Sequence, residues 1–304
     1  MDKKQMCFNY WGQASLMRTI QAGIVDTLIG FRAERHFREI AALRAEEKAD
    51  HHPHGYMFKE IPPELAATDD AAAAVGETLE LMDKFGIEYG LVPTTDERTA
   101  GAVRRHPNRF LASMPVDGNK GMEEVRSIVR AYDELNLRAV TLFPSGVSPQ
   151  IPINDKLWYP IYAKCIELDI PVFVTTGVPG PRVKMMAQYV GHLDEVCYDF
   201  PELKIVMRHG AEPWEDLAVK LMLKWPNLYY STSAFAPKYI PKAIVDFANT
   251  RGSDKIIYAG YFPFGLTLER IFAEFDDLPF KDDVWPKFLS DNARRVLKLP
   301  PATR

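Results

Sequence analysis

Arg208 and His209 stand side by side in LKIVMRHGAEPWED, where an apolar run from Leu203 to Met207 ends and a glycine turn and helix begin. An imidazole can hold or release a proton near neutral pH, and a guanidinium can grip a carboxylate through paired hydrogen bonds. Three residues on, Glu212 could orient the imidazole or exchange a proton itself; a carboxylate there also favours the start of a helix. Taken alone, the pair is explained equally well by a packed, hydrogen-bonded histidine beside a solvent-facing arginine. Position raises the chemical reading. The carboxyl end of a buried strand is where α/β barrels and open α/β sheets present their working groups.

Other side chains of useful type lie in loops. Arg182, in VPGPR, could clamp a carboxylate or simply be a surface arginine after a Pro-Gly turn. Arg32 is a weaker second anion binder. The run HHPHG carries His51, His52 and His54, with Glu34 and His36 upstream. Such a cluster could collect zinc, but one turn supplies no closed tetrahedral set, so contact of one of these histidines, His54, with substrate is favoured over a metal site; a solvated loop that at most lines the substrate entrance is the plain alternative.

The elements that must position these groups repeat along the chain. Apolar runs occur at 23–29, 87–93, 109–117, 137–144, 170–177, 203–207, 228–234 and 255–263. Helical stretches are predicted at 68–85 (capped by Thr68 or Asp69), 97–106, 121–135, 158–168, 183–200, after His209 toward Trp225, 241–250, 266–275 and 284–297, and at FREIAALRAEEKA, residues 37–49. Continuous rather than alternating apolar runs indicate strands covered on both faces, and the alternation of strand and helix implies a parallel sheet. Eight such units in 304 residues favour a closed (β/α)8 barrel in the α/β class, with residues 1–22 as an N-terminal extension, the barrel over 23–299 and a loop and helical insertion at 32–68. No GxGxxG or GxxxxGK[ST] follows a strand, which counts against nucleotide-binding open sheets.

Composition narrows the partners. A formal net charge of −4 provides no basic field for nucleic acid, and no apolar run approaches the ~20 residues of a membrane span. Cys7, Cys165 and Cys197 are widely spaced, and the first residues lack the apolar core of a signal peptide; reduced thiols in a soluble cytoplasmic protein are expected. The strand ends supply mostly hydroxyls and aromatics, Thr175, Thr176 and Ser231–Ser233 among them, besides the one cationic pair.

Together IVDTLIGF, PVFVTTG, LKIVMRHGAEPWEDLA, PNLYYSTSA, KIIYAGYFPFG and FLSDNARRVLKL resemble the amidohydrolase superfamily, in the branch that includes aminocarboxymuconate-semialdehyde decarboxylase, over roughly residues 24–298. The resemblance implies a first-strand Asp-x-His-x-His, a fifth-strand histidine, a sixth-strand histidine and an eighth-strand aspartate around a divalent metal. Asp26 and His209 keep their places, but Leu28, Gly30, Thr175 and Tyr261 stand at the others. An ion would meet a single protein ligand there, so no cofactor is expected; zinc or manganese held by the 34–54 segment is the alternative. Tyr261 stands where the acidic group belongs. A phenol can donate a hydrogen bond but, with an ordinary pKa near 10, is a poor base; packing with Tyr258 and Phe262 is its other explanation.

The resemblance therefore implies a metal-independent hydrolase or carboxy-lyase acting on a small carboxylated or carbonyl-bearing molecule. His209 would be the acid/base group with Glu212 beside it, Arg182 and Arg208 the anion binders, Thr175 a substrate contact and Tyr261 a hydrogen-bond donor. A catalytically inactive binding protein on the same barrel is the alternative. The expected partner is a small molecule, with no nucleic acid or membrane; relatives of this kind often pair, which leaves a homodimer open.

Overall fold

The computed structural model describes residues 23–32, 40–48, 55–58 and 62–302. The expected N-terminal extension, the His51–His54 cluster, Glu34 and His36 lie outside these residues; of the helix expected over 37–49, residues 40–48 are described and only Ala45–Lys48 is helical, residues 40–44 forming a turn and bend.

All eight expected strands form. They are β1 (Ile24–Asp26), β2 (Ile87–Pro93), β3 (Phe110–Val116), β4 (Ala139–Leu142), β5 (Val172–Thr175), β6 (Ile205–Arg208), β7 (Leu228–Ser231) and β8 (Ile256–Ile257). They pair in parallel in sequence order from β1 to β8. The outer two are joined just beyond their ends: Thr27 donates its N–H to the Tyr258 carbonyl (3.2 Å), Gly30 to Phe262 (2.8 Å) and Tyr261 to Leu28 (3.0 Å). The sheet thus closes into the (β/α)8 barrel, with its edge groups satisfied.

Each strand sends one residue of a separate apolar cluster into the barrel, including Val25, Leu91, Phe173, Val206 and Ile257. The neighbouring residues of β6, Ile205 and Met207, belong instead to the larger core between sheet and helices. This two-residue alternation matters at Arg208: two positions after Val206, its side chain falls on the inner face.

The surrounding helices are α1 (Ala71–Lys84), α2 (Glu97–Arg105), α3 (Met122–Leu135), α4 (Tyr159–Glu167), α5 (His192–Asp199), α6 (Glu215–Lys224), α7 (Lys242–Ala248), α8 (Leu268–Ala273) and α9 (Asn292–Leu297). Three differ from expectation. The cap of α1 is Asp70, whose carboxylate accepts from Ala72 and Ala73 (3.0 and 2.9 Å); the Thr68 hydroxyl accepts from Asp70 instead. The helix expected over 183–200 divides into a 3-10 turn, Met186–Gln188, and α5. Buried Gln188 causes the break by donating its Nε2 to the Gly177 carbonyl (2.8 Å), which ties the turn to the end of β5. The helix expected over 284–297 becomes a π-helical turn, Lys287–Asp291, leading into α9. There the Asn292 amide donates to Ser253 and Ile256 (2.8 Å each), holding α9 against β8 so that Ala293, Val296 and Leu297 plug the barrel. Among the described residues no helix is long and apolar enough to cross a membrane.

Candidate active site

A cavity of about 1130 Å³ opens at the carboxyl ends of the strands. Thr94, Asp117, Thr141, Thr175, Arg208, His209, Ala234 and Tyr261 line it, drawn from β2 through β8 or the residues just past them. Three of these residues, His209, Ala234 and Tyr261, have left-handed backbones with φ of 62°, 71° and 59°. A side chain in that region costs roughly 1 kcal/mol or more, and such strain tends to gather at working sites.

Arg208 forms the floor. The reading of a solvent-facing arginine is corrected here, since the residue is 5% exposed. Its guanidinium donates to the Thr27 carbonyl (3.0 Å) and lies over the Phe173 ring at 5.1 Å. The buried Nε has no hydrogen-bond partner, and no carboxylate among the described residues forms an ion pair with the group. Burial lowers its pKa to about 10, against the opposing pull of Tyr261 and Asp26.

Asp26 sits at the β1–β8 seam, fully buried. Its Oδ1 accepts from Leu28 (3.0 Å) and Gly260 (2.9 Å), while Oδ2 has no partner. Burial pushes the carboxyl up to about 7, in spite of those two bonds and the Arg208 charge. A Cβ on Gly260 would lie 2.5 Å from Asp26 Oδ2 and 2.8 Å from Tyr258 Oη, so only glycine fits. Asp26 thereby fixes the chain between Leu28 and Gly260, immediately before Tyr261 turns into the cavity.

His209 is held by Ser233, which is fully buried. The His209 backbone N–H donates to Ser233 Oγ (3.0 Å), and the same Oγ lies 3.2 Å from His209 Nδ1. The following turn is pinned by Thr176, whose hydroxyl donates to the Gly210 carbonyl (2.6 Å). Gly210 itself has φ +83°, and a Cβ there would press within 2.7 Å of the Phe235 ring. The imidazole meets the edge of Tyr261 at a centroid distance of 5.4 Å; Tyr261 in turn stacks on Phe58 at 6.2 Å. Glu212 is exposed at the cavity wall, its carboxyl raised by partial burial and by Glu215.

The expected site residues therefore divide. His209, Arg208, Thr175, Tyr261 and Glu212 meet at the cavity. Arg182 is not among the lining residues; it is exposed, paired with Glu47 (3.1 Å) and set over the Tyr56 ring (4.4 Å). Arg32 is likewise engaged elsewhere, with Glu77 (2.6 Å) and the Ala66 carbonyl (3.1 Å). His54 lies outside the described residues. The sequence points to Asp26 only through the resemblance and to Ser233 only as one of several strand-end hydroxyls, because their roles depend on contacts across 234 and 24 residues of chain.

The donor set does not fit the divalent metal expected at this position. Leu28 is buried and apolar, Gly30 has no side chain, Thr175 and Tyr261 offer neutral hydroxyls, and His209 turns Nδ1 to Ser233. Among the described residues no three His, Cys, Asp or Glu side chains gather as a metal site.

Residues 36–299 match the Amidohydrolase family. A 101-residue stretch is 27% identical to 2-keto-4-carboxy-3-hexenedioate hydratase of Sphingobium sp. (strain NBRC 103272 / SYK-6); it spans 29% of this chain and 30% of that protein. An uncharacterized TIM-barrel protein from Bordetella bronchiseptica superposes with a TM-score of 0.71 at 24% identity, over 91% of this chain and 98% of its own. The 5-carboxyvanillate decarboxylase of Novosphingobium aromaticivorans, solved with manganese and 4-hydroxy-3-methoxy-5-nitrobenzoic acid, gives 0.65 at 18% identity, over 91% and 96%.

Proposed function

This chain belongs to the amidohydrolase family, and from that premise we propose that it is an enzyme acting on a small carboxylated molecule with side chains in the role its relatives give to a metal. The observation that carries this reading is Arg208: a buried cation at the floor of a cavity, with no ion pair at contact distance among the described residues and only the field of Asp26 and Tyr261 opposing its burial. A charge in that setting is costly until an anion arrives, and a carboxylate or a developing oxyanion is the group its geometry suits. Loss of CO2 moves negative charge away from the departing carboxylate. A cation clamped on that group would hold back its release. The anion on Arg208 is therefore one that keeps or gains charge during the reaction, such as a retained carboxylate or an enolate oxygen.

Tyr261 lies beside the His209 ring and supports the same oxygen-rich substrate as a hydrogen-bond donor. His209 and Glu212 are groups at the cavity suited to proton handling, with Asp117 and Glu124 also in its lining, and Thr175 adds a hydroxyl at the end of β5. The relatives include a hydratase and a decarboxylase, so the reaction class proposed is a lyase step, either loss of CO2 or addition of water at a carbon beside a carbonyl.

The test is turnover of a panel of aromatic and unsaturated aliphatic carboxylates by protein purified without added metal, with metal content measured on the same sample. Turnover that survives chelation and falls at least tenfold in Arg208→Met is expected. Turnover that tracks stoichiometric manganese or zinc would overturn the metal-independent reading. Binding without turnover of any compound would make the chain a binding protein.

A further inference from the structure

Resting on the reading of His209 as a reacting group, we propose that Ser233 locks the neutral imidazole in the Nε2–H form, so that neutral His209 acts through that nitrogen as a hydrogen-bond donor and not as a base. The argument is a count of hydrogens on one buried hydroxyl. Ser233 Oγ accepts the backbone N–H of His209 at 3.0 Å and lies 3.2 Å from Nδ1 of the same residue. The side chain is wholly buried, so no water competes. A serine hydroxyl has one proton to give. With Nδ1 unprotonated, that proton goes to Nδ1 and every group is satisfied. With Nδ1 protonated, the oxygen would accept twice and its own proton would have no acceptor, a buried unmet donor. The first arrangement wins, and the imidazole proton resides on Nε2.

This assignment divides the chemistry. The nitrogen of neutral His209 that could accept a proton is capped by a hydroxyl on the side of the barrel wall. The nitrogen bearing the proton can only donate, as a neutral electrophile toward a carbonyl or enolate oxygen. Proton removal then falls to a carboxylate at the cavity, where Asp117, Glu124 and Glu212 stand among the described residues. Ser233 is thus a positioning residue: it acts through the imidazole and fixes both its direction and its tautomer.

The experiment is long-range 1H–15N NMR on uniformly labelled full-length protein, above the pH at which the imidazole is charged. His209→Gln identifies the signals by removing one imidazole set. The expected pattern for His209 is a downfield, unprotonated Nδ1 and an upfield, protonated Nε2. In Ser233→Ala that single-tautomer pattern is lost to averaged nitrogen shifts, and Ser233→Thr, which keeps the hydroxyl, retains it. A protonated Nδ1 in the wild type overturns the inference whatever the variants do, and so does an unchanged pattern in Ser233→Ala. Should Ser233→Ala fail to fold, the wild-type spectrum alone decides. Protein with the Nε2–H pattern but no turnover of any carboxylate leaves the inference standing and sinks the reading of the site as an enzyme's.

Discussion

Replacing Arg208 with methionine should separate two quantities that usually fall together, the stability of the free protein and its affinity for an anion. The guanidinium is 5% exposed and its pKa falls well below the ordinary arginine value, to about 10, chiefly through burial. That displacement corresponds to about 3 kcal/mol against the charged form. Methionine removes the penalty together with one charged hydrogen bond to the Thr27 carbonyl, worth about 1.5 kcal/mol, while its flexible thioether can fill the space over Phe173. The balance is a free protein at least as stable as wild type, and more stable by about 1 kcal/mol if the cavity stays dry. Affinity should move the other way. Losing a buried, charge-assisted contact costs roughly 1.5–3 kcal/mol, or about 10- to 150-fold in Kd. Urea midpoints without ligand give the first quantity and calorimetric titration with a series of benzoates the second. Arg208→Lys keeps a charge but loses the forked geometry and the flat face over Phe173, and should recover only part of the affinity. A methionine variant less stable by several kcal/mol would mean that Arg208 already has a compensating partner. One that binds carboxylates as tightly as wild type would place the anion elsewhere. Either result refutes the reasoning.

Asp26 predicts an unusual pH dependence. Its folded-state pKa of about 7 lies above the ordinary 3.8, so the folded protein holds the extra proton between these values, and this residue's contribution to stability is lost as pH rises from about 4 to about 7. Asp26→Asn cannot ionise and should lack that fall, the gap between the two proteins changing by on the order of 4 kcal/mol between pH 4 and 8; parallel urea midpoints across the range would sink the claim. Gly260→Ala should cost about 2 kcal/mol by overpacking, since its Cβ would press on Asp26 Oδ2, Tyr258 Oη and Leu268, and an unchanged melting temperature would show the seam to be looser than described. Cys165 and Cys197 are buried and their thiols are raised by burial, Cys197 to about 12. A thiol reagent at pH 8 should therefore count no more than one group, Cys7, in the folded protein and three after unfolding; rapid loss of two or more native thiols would contradict the packing.

The barrel was legible because its signals are local. Each buried strand is a continuous apolar run, and the spacing between runs leaves room for one helix apiece, so eight units could be counted without knowing any contact. What failed depended on a partner distant in the chain. The helix over 183–200 breaks because Gln188 reaches back to Gly177, and nothing in the helical periodicity of that segment carries this information. The same limit applied to the site. His209 and Tyr261 were visible as polar groups past apolar runs, and the inward direction of Arg208 follows from counting twos from Val206, a step available in the sequence once the strand's end is placed correctly. Arg182 and Arg208 are indistinguishable as letters. One is occupied by Glu47 and Tyr56 at the surface, the other is sealed beneath the cavity, and burial alone singles out the second as the proposed anion site. Ser233 could not have been chosen over Ser231 without seeing which of them meets His209.

The distribution of unfavourable terms bears on whether the cavity is in use. Arg208 is buried without an ion pair among the described residues, and the left-handed backbones of His209, Ala234 and Tyr261 stand at the ends of three successive strands. Elsewhere the charged groups behave as a stable fold requires: buried Arg294 is paired with Glu88, and the other left-handed residues, Asn136, Asp169 and Lys298, are exposed or half-buried at turns where a local bend is cheap. A barrel kept only as a scaffold could relieve each cost at the cavity with a single ordinary substitution, methionine for the arginine or glycine at a strained turn. That the costs converge on one cavity, and that the largest of them is of the kind an anion would cancel, argues that the free protein is the destabilised state of a pair. The partner state the proposed function requires is the complex in which Arg208 meets an anion.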